Sequence, residues 1–105
     1  MSTKKLSPAR LCLKDLRGHD LTFGTLIESI RKSDDISQSS LAKMMGISRA
    51  HLCDIEKGRR LISPLRAANF AKLMGYNSEH FISLAIQDQL DQAGLKFKVE
   101  LKKAA

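Results

Sequence analysis

The sequence has no tryptophan, one tyrosine and four phenylalanines, so aromatic side chains make up only 5% of its 105 residues. Proteins that stack unpaired bases need aromatic platforms, and this scarcity argues against binding to RNA or to single strands. Long apolar runs are also missing, since none exceeds three residues. A transmembrane helix or the apolar region of a secretory signal needs a longer run, so we expect a cytoplasmic protein with no membrane contact.

The cysteines and histidines form no recognisable ligand set. Cys12 and Cys53 belong to no Cys-x-x-Cys pair, and His19, His51 and His80 are scattered. The sequence therefore predicts no disulfide and no metal site, and it favours two reduced thiols. It also contains no nucleophile motif and no phosphate-binding glycine loop, so we expect neither enzymatic activity nor a cofactor.

What the chain does have is positive charge, with a formal net charge of +7. Residues 1–20 carry +3, residues 21–63 carry +2 and residues 95–105 carry +3, whereas residues 64–94 carry −1. This balance indicates an anionic partner, and the lack of aromatic residues favours duplex nucleic acid. Basic termini are also common for solubility alone, so charge by itself does not decide between these interpretations.

Five segments have apolar residues at helical spacing and a polar residue in front that caps helix N-termini. These capping residues are Thr22, Ser37, Ser48, Ser63 and Ser78. After the fifth segment the period changes, because Leu95, Phe97, Val99 and Leu101 alternate with charged residues, which predicts a β-strand. A lone strand needs a partner, which is residues 10–14, the same strand of a second subunit or another protein.

Residues 38–57 predict two short helices joined by a tight turn. Ala42 is small where the helices must cross, and Gly46 lies in the turn. The shared core of the two helices is supplied by Leu41, Met45, Ile47, Leu52 and Ile55. These positions all fall where a helix-turn-helix needs them.

The stretch SQSSLAKMMGISRAHLCDIEKG resembles the phage-repressor (XRE) family of helix-turn-helix proteins, the group of the lambda and 434 repressors and Cro. The resemblance extends from Phe23 to about Gly75. Ser40 departs from the family pattern, as do Asp34 and Asp35 before the second helix. The expected fold is all-α, a five-helix repressor-like domain with a short C-terminal β-strand. We expect a basic arm over residues 1–20, the DNA-binding domain over 21–75, and a helix and strand for dimer or partner contact over 76–105.

The resemblance implies that the third helix lies in the major groove of duplex DNA. Arg49 would read guanine with its two-pronged guanidinium, and Ala50 would offer a methyl contact. Asp54 would either accept a hydrogen bond from a cytosine amino group or orient Arg49. For Arg49 the alternative is an ordinary solvated charge at the end of a helix.

Other residues are expected to hold the DNA backbone or the domain itself. The resemblance assigns phosphate contacts to Gln38, Ser48 and His51, and a backbone clamp beyond the third helix to Lys57, Arg59 and Arg60. The alternative for residues 57–60 is an ordinary basic loop. Arg31 and Glu56 match the family's internal ion pair and are expected to be structural.

The leading prediction is a sequence-specific repressor that binds a two-fold operator as a homodimer. The alternative is an antitoxin that represses its own operon and neutralises a small toxin, because the arrangement also resembles HigA-type antitoxins. A third class, a module that binds only proteins, is disfavoured by the polar, basic reading helix.

Overall fold

In the computed structural model, residues 21–104 are described. The predicted N-terminal arm, with Cys12 and His19, lies outside the described residues. Within them are five helices: α1 (Phe23–Ser33), α2 (Gln38–Met45), α3 (Arg49–Glu56), α4 (Pro64–Met74) and α5 (Ser78–Gln92). The prediction of five helices is confirmed. No helix in this part of the chain is long and apolar enough to cross a bilayer.

The helices begin at residues whose side chains accept backbone N–H groups. Thr22 Oγ1 accepts from Thr25 N at 3.1 Å, and Thr25 Oγ1 accepts in return from Thr22 N at 3.0 Å. The hydroxyls of Ser37, Ser48 and Ser63 cap α2, α3 and α4 in the same way. Each bond satisfies a donor that the first turn of a helix leaves unpaired.

The start of α5 differs by one residue from the prediction. Its N-cap is Asn77, whose Oδ1 accepts from Glu79 N at 2.8 Å, and Ser78 is the first helical residue. Asn and Ser are about equally good N-caps, so two such residues in succession leave the exact start open in the sequence.

The predicted C-terminal β-strand is not seen in the structure. Residues 95–104 form neither helix nor strand, and no strand occurs among residues 21–104. A strand exists only as part of a ladder, and alternation of apolar and charged residues does not supply the second backbone. Leu95, Phe97 and Leu101 are exposed instead of lying against a sheet partner.

The described residues divide into two compact units, of which the first ends at Arg60 and the second begins at Leu61. In the first unit, α1 and α2 both pack against α3. Its buried apolar side chains are Phe23, Leu26, Ile27, Ile30, Leu41, Ala42, Leu52 and Ile55. In the second unit α4 packs along α5, and the buried apolar side chains are Ile62, Ala67, Phe70, Ala71, Phe81 and Ala85.

Gly24 allows α1 to approach the end of α3 at backbone distance. A Cβ at this position would lie 2.7 Å from the backbone oxygen of Glu56 and closer still to that of Ile55. Neither backbone atom can move aside as a flexible side chain would. The absence of a side chain at Gly24 therefore sets how closely α1 approaches α3.

Candidate nucleic-acid interface

The turn between α2 and α3 is fixed by its own backbone. Gly46 has φ 73°, in the left-handed region that side chains disfavour, and its N–H donates to Lys43 O at 3.1 Å. Ile47 N donates to Ala42 O at 3.0 Å. This pattern satisfies carbonyls at the end of α2 and turns the chain directly into α3.

The two sides of α3 have different chemistry. Leu52, Ile55 and Glu56 are buried on one side. The remaining residues, exposed or half-buried, are Arg49, Ala50, His51, Cys53 and Asp54, and the N-cap Ser48 is exposed as well. Ser48 Oγ accepts from His51 N at 3.0 Å, which occupies one lone pair and leaves its hydroxyl proton available to a ligand. The buried side anchors α3 in the first unit, and the exposed side leaves its polar side chains available to a ligand.

A buried ion pair joins α1 to α3. Arg31 Nε donates to Glu56 Oε2 at 2.7 Å and Arg31 Nη2 donates to Glu56 Oε1 at 3.2 Å, with the Glu56 side chain fully buried. Arg31 Nη1 also donates to Ile36 O at 3.0 Å. The hydrogen bond to Glu56 raises the pKa of Arg31 above its usual value, so the guanidinium stays charged.

Gln38 connects this ion pair to the exposed surface. Its amide nitrogen donates to Glu56 Oε1 at 2.9 Å, and its amide oxygen accepts from Arg49 Nε at 3.3 Å. This bond holds the Arg49 guanidinium at the first turn of α3 through Nε, and the two terminal nitrogens remain available to a ligand. The sequence predicts separate roles for Gln38 and Arg49. No spacing rule reveals that the Gln38 amide bonds both Glu56 and Arg49.

Asp54 pairs with Arg59 and not with Arg49. Arg59 Nε donates to Asp54 Oδ1 at 3.0 Å, and Arg59 Nη2 lies 3.8 Å from Cys53 Sγ. The hydrogen bond to Asp54 raises the pKa of Arg59. Of the two roles open to Asp54 in the sequence, orientation of Arg49 has no counterpart in the structure, where the oriented arginine is Arg59.

The basic loop after α3 is anchored to the last turn of that helix. The backbone N–H groups of Arg59 and Arg60 both donate to Asp54 O, at 2.8 and 3.2 Å. Arg60 Nη1 lies 3.4 Å from His51 Nε2, and Lys57 is exposed at the C-cap. The three basic residues predicted to clamp phosphates therefore adjoin the exposed face of α3.

The surface of the first unit is poor in apolar side chains. Seven large apolar residues are exposed among residues 21–104, and only Met44 of these belongs to residues 21–60. Residues 49–60 combine four basic side chains with a cysteine, Cys53, that forms no disulfide. No group of three or more His, Cys, Asp or Glu in the described residues is arranged to hold a metal ion. The chemistry on offer is hydrogen-bond donation and positive charge.

The helix-turn-helix family model matches residues 27–81, which is just over half of the chain. The chain belongs to this family, in its phage-repressor (XRE) branch. Members of the family are DNA-binding regulatory domains and not enzymes.

A curated relative supports the same branch. The chain is 41% identical over 52 residues to the ImmF control region 10 kDa protein of Bacillus phage phi105. The matched stretch covers 50% of this chain and 58% of the phage protein, so the chain spans under two thirds of that relative's length. No solved structure matches the chain.

Proposed function

We propose that this protein is a sequence-specific repressor of transcription that binds a two-fold operator in duplex DNA as a homodimer. The observation that carries the proposal is the exposed polar face of α3, with Arg49 held by Gln38 at its N-terminal turn. The N-terminal residues of the second helix of this motif are the ones that reach base edges in the major groove. The control-region name of the phage relative points the same way.

Arg49 is the proposed reader of guanine. An arginine can donate two parallel hydrogen bonds to guanine O6 and N7, and this is the commonest specific contact in the major groove. The bond from Arg49 Nε to Gln38 leaves both terminal nitrogens of the guanidinium for the base. Ala50, next to it and exposed, suits contact with a thymine methyl group.

The phosphate contacts are proposed for the residues that flank the reader. Lys57, Arg59 and Arg60 follow α3 as a basic loop, and Ser48, His51 and Gln38 lie near the N-terminal turns of α2 and α3. Helix N-termini attract anions through their unpaired N–H groups and the helix dipole. Such contacts fix the register of the protein on DNA without reading its sequence.

A homodimer is proposed because one reading helix buries too little surface for tight specific binding. Two half-sites with centres about 34 Å apart double the contacts and match a two-fold operator. Repression by occlusion of polymerase then needs no ligand. The antitoxin alternative stays a prediction, because no contact among the described residues favours a toxin over a second copy.

Selection from a random pool of duplex DNA tests the proposal. At about 100 mM salt, phosphate attraction alone does not dominate the binding. We expect an inverted repeat whose half-site centres are one helical turn apart. Weak binding with no enriched sequence would contradict the proposal. The next step would then be to look for proteins that bind this chain.

A further inference from the structure

The segment that follows α5 is held to that helix by one side chain. The chain leaves α5 through bonds from Leu95 N to Leu90 O at 2.9 Å and from Phe97 N to Leu95 O at 3.1 Å. Beyond this turn, Gln87 Nε2 donates to Phe97 O at 2.7 Å, and Val99 N donates to Gln87 Oε1 at 2.9 Å. A single amide thus binds the backbone on both sides of residue 98.

This arrangement imitates half of a β-ladder. In a parallel ladder, one residue of the neighbouring strand accepts from N–H i+1 and donates to C=O i−1, which is what the Gln87 amide does around Lys98. One edge of the segment is therefore occupied by Gln87. In such a chain the N–H and C=O of Lys98 and Glu100 face the opposite edge, where an open ladder can accept another strand.

The side chains of this segment are also poorly covered. Phe97 is 66% exposed and Leu101 is 37% exposed, while Val99 between them is half-buried. Lys98 and Glu100, which alternate with these three, are exposed and carry opposite charges. An open backbone edge combined with exposed apolar residues is the surface to which a further strand adds.

We propose that residues 97–101 pair with the same residues of a second copy as an antiparallel two-stranded ladder centred on Val99. This rests on the homodimer of the proposed function and assigns its interface. The register that pairs all five residues places each Lys98 opposite Glu100 of the second copy, so two attractive cross-strand pairs form. The same register places Phe97 opposite Leu101 of the second copy.

The hydrogen bonding and the charges agree in this register. Lys98 and Glu100, which have the free backbone groups, become the hydrogen-bonded pairs, and Val99 meets its own copy in a non-hydrogen-bonded pair. A longer ladder would bring Lys96 opposite Lys102 of the second copy. The turn formed by the bond from Phe97 N to Leu95 O ends the segment before that unfavourable pair.

A cysteine at the centre of the ladder tests the register directly. In a non-hydrogen-bonded antiparallel pair the Cα atoms lie about 4.5 Å apart, within the range of a disulfide. In the full chain with Cys12→Ser and Cys53→Ala, Val99→Cys should form a covalent dimer on mild oxidation. Phe97→Cys is the control, because four residues of offset separate its two copies by about 14 Å. No dimer from Val99→Cys, or equal dimer from both variants, would overturn the proposal.

Charge reversal tests the partner. Lys98→Glu or Glu100→Lys alone places like charges opposite each other twice, and each should raise the dimer dissociation constant about tenfold in sedimentation equilibrium without DNA. The double variant restores both attractive pairs and should restore the dimer. Single variants with unchanged association, or a double variant that stays weak, would mean that residues 10–14 or another protein covers this edge.

Gln87 is the positioning residue of the ladder. Gln87→Met keeps the length of the side chain but removes both bonds to the segment, so the dimer should weaken several-fold, whereas Gln92→Met on the same helix should not change it. An unchanged Gln87→Met dimer would remove Gln87 from the proposal.

A covalent Val99→Cys dimer that selects no DNA sequence would refute the repressor and keep the ladder. An enriched inverted repeat without the crosslink would do the reverse.

Discussion

At the scale of single residues, the side chain that organises the candidate interface is Gln38. One amide bridges the buried Glu56 carboxylate and the exposed Arg49 guanidinium. Its position at the start of α2 follows from the Ser37 cap and is readable from the sequence. The bridge itself is not, because it needs α1, α2 and α3 to bring their side chains within hydrogen-bond distance.

Arg49→Ala should relax the preference for one base pair of each half-site and weaken specific binding by about 1–3 kcal/mol. The reason is that the proposed contact of Arg49 directs two donors at a single base. Competition binding against a panel of single-base operator variants measures the effect. Lys72→Ala on α4 removes the same charge from an exposed site and should leave the base preference intact. An unchanged preference in Arg49→Ala would remove this residue as the reader.

Arg31→Met should destabilise the protein by about 3 kcal/mol, because it leaves the Glu56 carboxylate buried without its charged partner. The double variant Arg31→Met with Glu56→Met should lose less, since no charge stays buried. Lys32→Met is the matched control: Lys32 pairs with Glu28 at 3.1 Å but is itself exposed, and we expect a change within about 0.5 kcal/mol. Urea denaturation gives all three values. A double variant with a lower free energy of unfolding than Arg31→Met alone would contradict this account.

At the scale of elements, the sequence predicts most of the helix boundaries. Capping residues and apolar spacing located all five helices, because an N-cap acts over three or four residues and depends little on the rest of the fold. The strand failed for the opposite reason. Alternation over residues 95–101 describes one strand, whereas the ladder needs a second backbone that this chain does not provide among its described residues.

The sequence predicts the Arg31–Glu56 ion pair between α1 and α3, but not the backbone contact that these helices make at Gly24. Gly24 lies inside a helical pattern, where an isolated glycine is unfavourable unless packing requires it. This unfavourable glycine is the only sign in the sequence that backbone oxygens, those of Ile55 and Glu56, lie against position 24. Which helix makes the contact depends on tertiary structure and cannot be derived from local spacing.

Gly24→Ala should cost about 3 kcal/mol of stability, because the new methyl group meets backbone that cannot withdraw. Gly46→Ala is a useful comparison, since no atom lies within 4 Å of the added Cβ there. Its cost comes only from the left-handed backbone and should be about 1–2 kcal/mol. Thermal denaturation ranks the two. A smaller loss at Gly24 than at Gly46 would show that α1 can shift away from α3.

At the scale of the whole molecule, the exposed apolar side chains are unevenly distributed along the chain. Residues 49–60 carry four exposed basic side chains and none of the seven exposed large apolar ones. Six of those seven, in the described part, lie in residues 61–101, where exposed lysines accompany them. The proposed contacts with DNA and with a second copy therefore draw on different segments. This separation allows the two kinds of contact to be altered independently.

The double variant Arg59→Ala with Arg60→Ala should weaken binding to all duplexes alike and reduce the slope of log K against log salt by about 2. Each lost phosphate contact releases about one counterion fewer. Arg66→Ala with Lys72→Ala removes two positive charges from α4 and should leave the slope nearly unchanged. A loss confined to one operator base would mean that these arginines read sequence.

The bridge made by Gln38 bears on attempts to redesign operator choice. Transplanting only the outward side chains of α3 from a homologous regulator would leave the amide oxygen of Gln38 without the Arg49 N–H that it accepts. Glu56 would still hold the Gln38 amide in the orientation that suits an arginine at position 49. In the proposed mode of binding, the smallest unit that could be transferred is therefore α3 together with Gln38, the first residue of α2. Libraries that randomise position 49 should randomise position 38 with it.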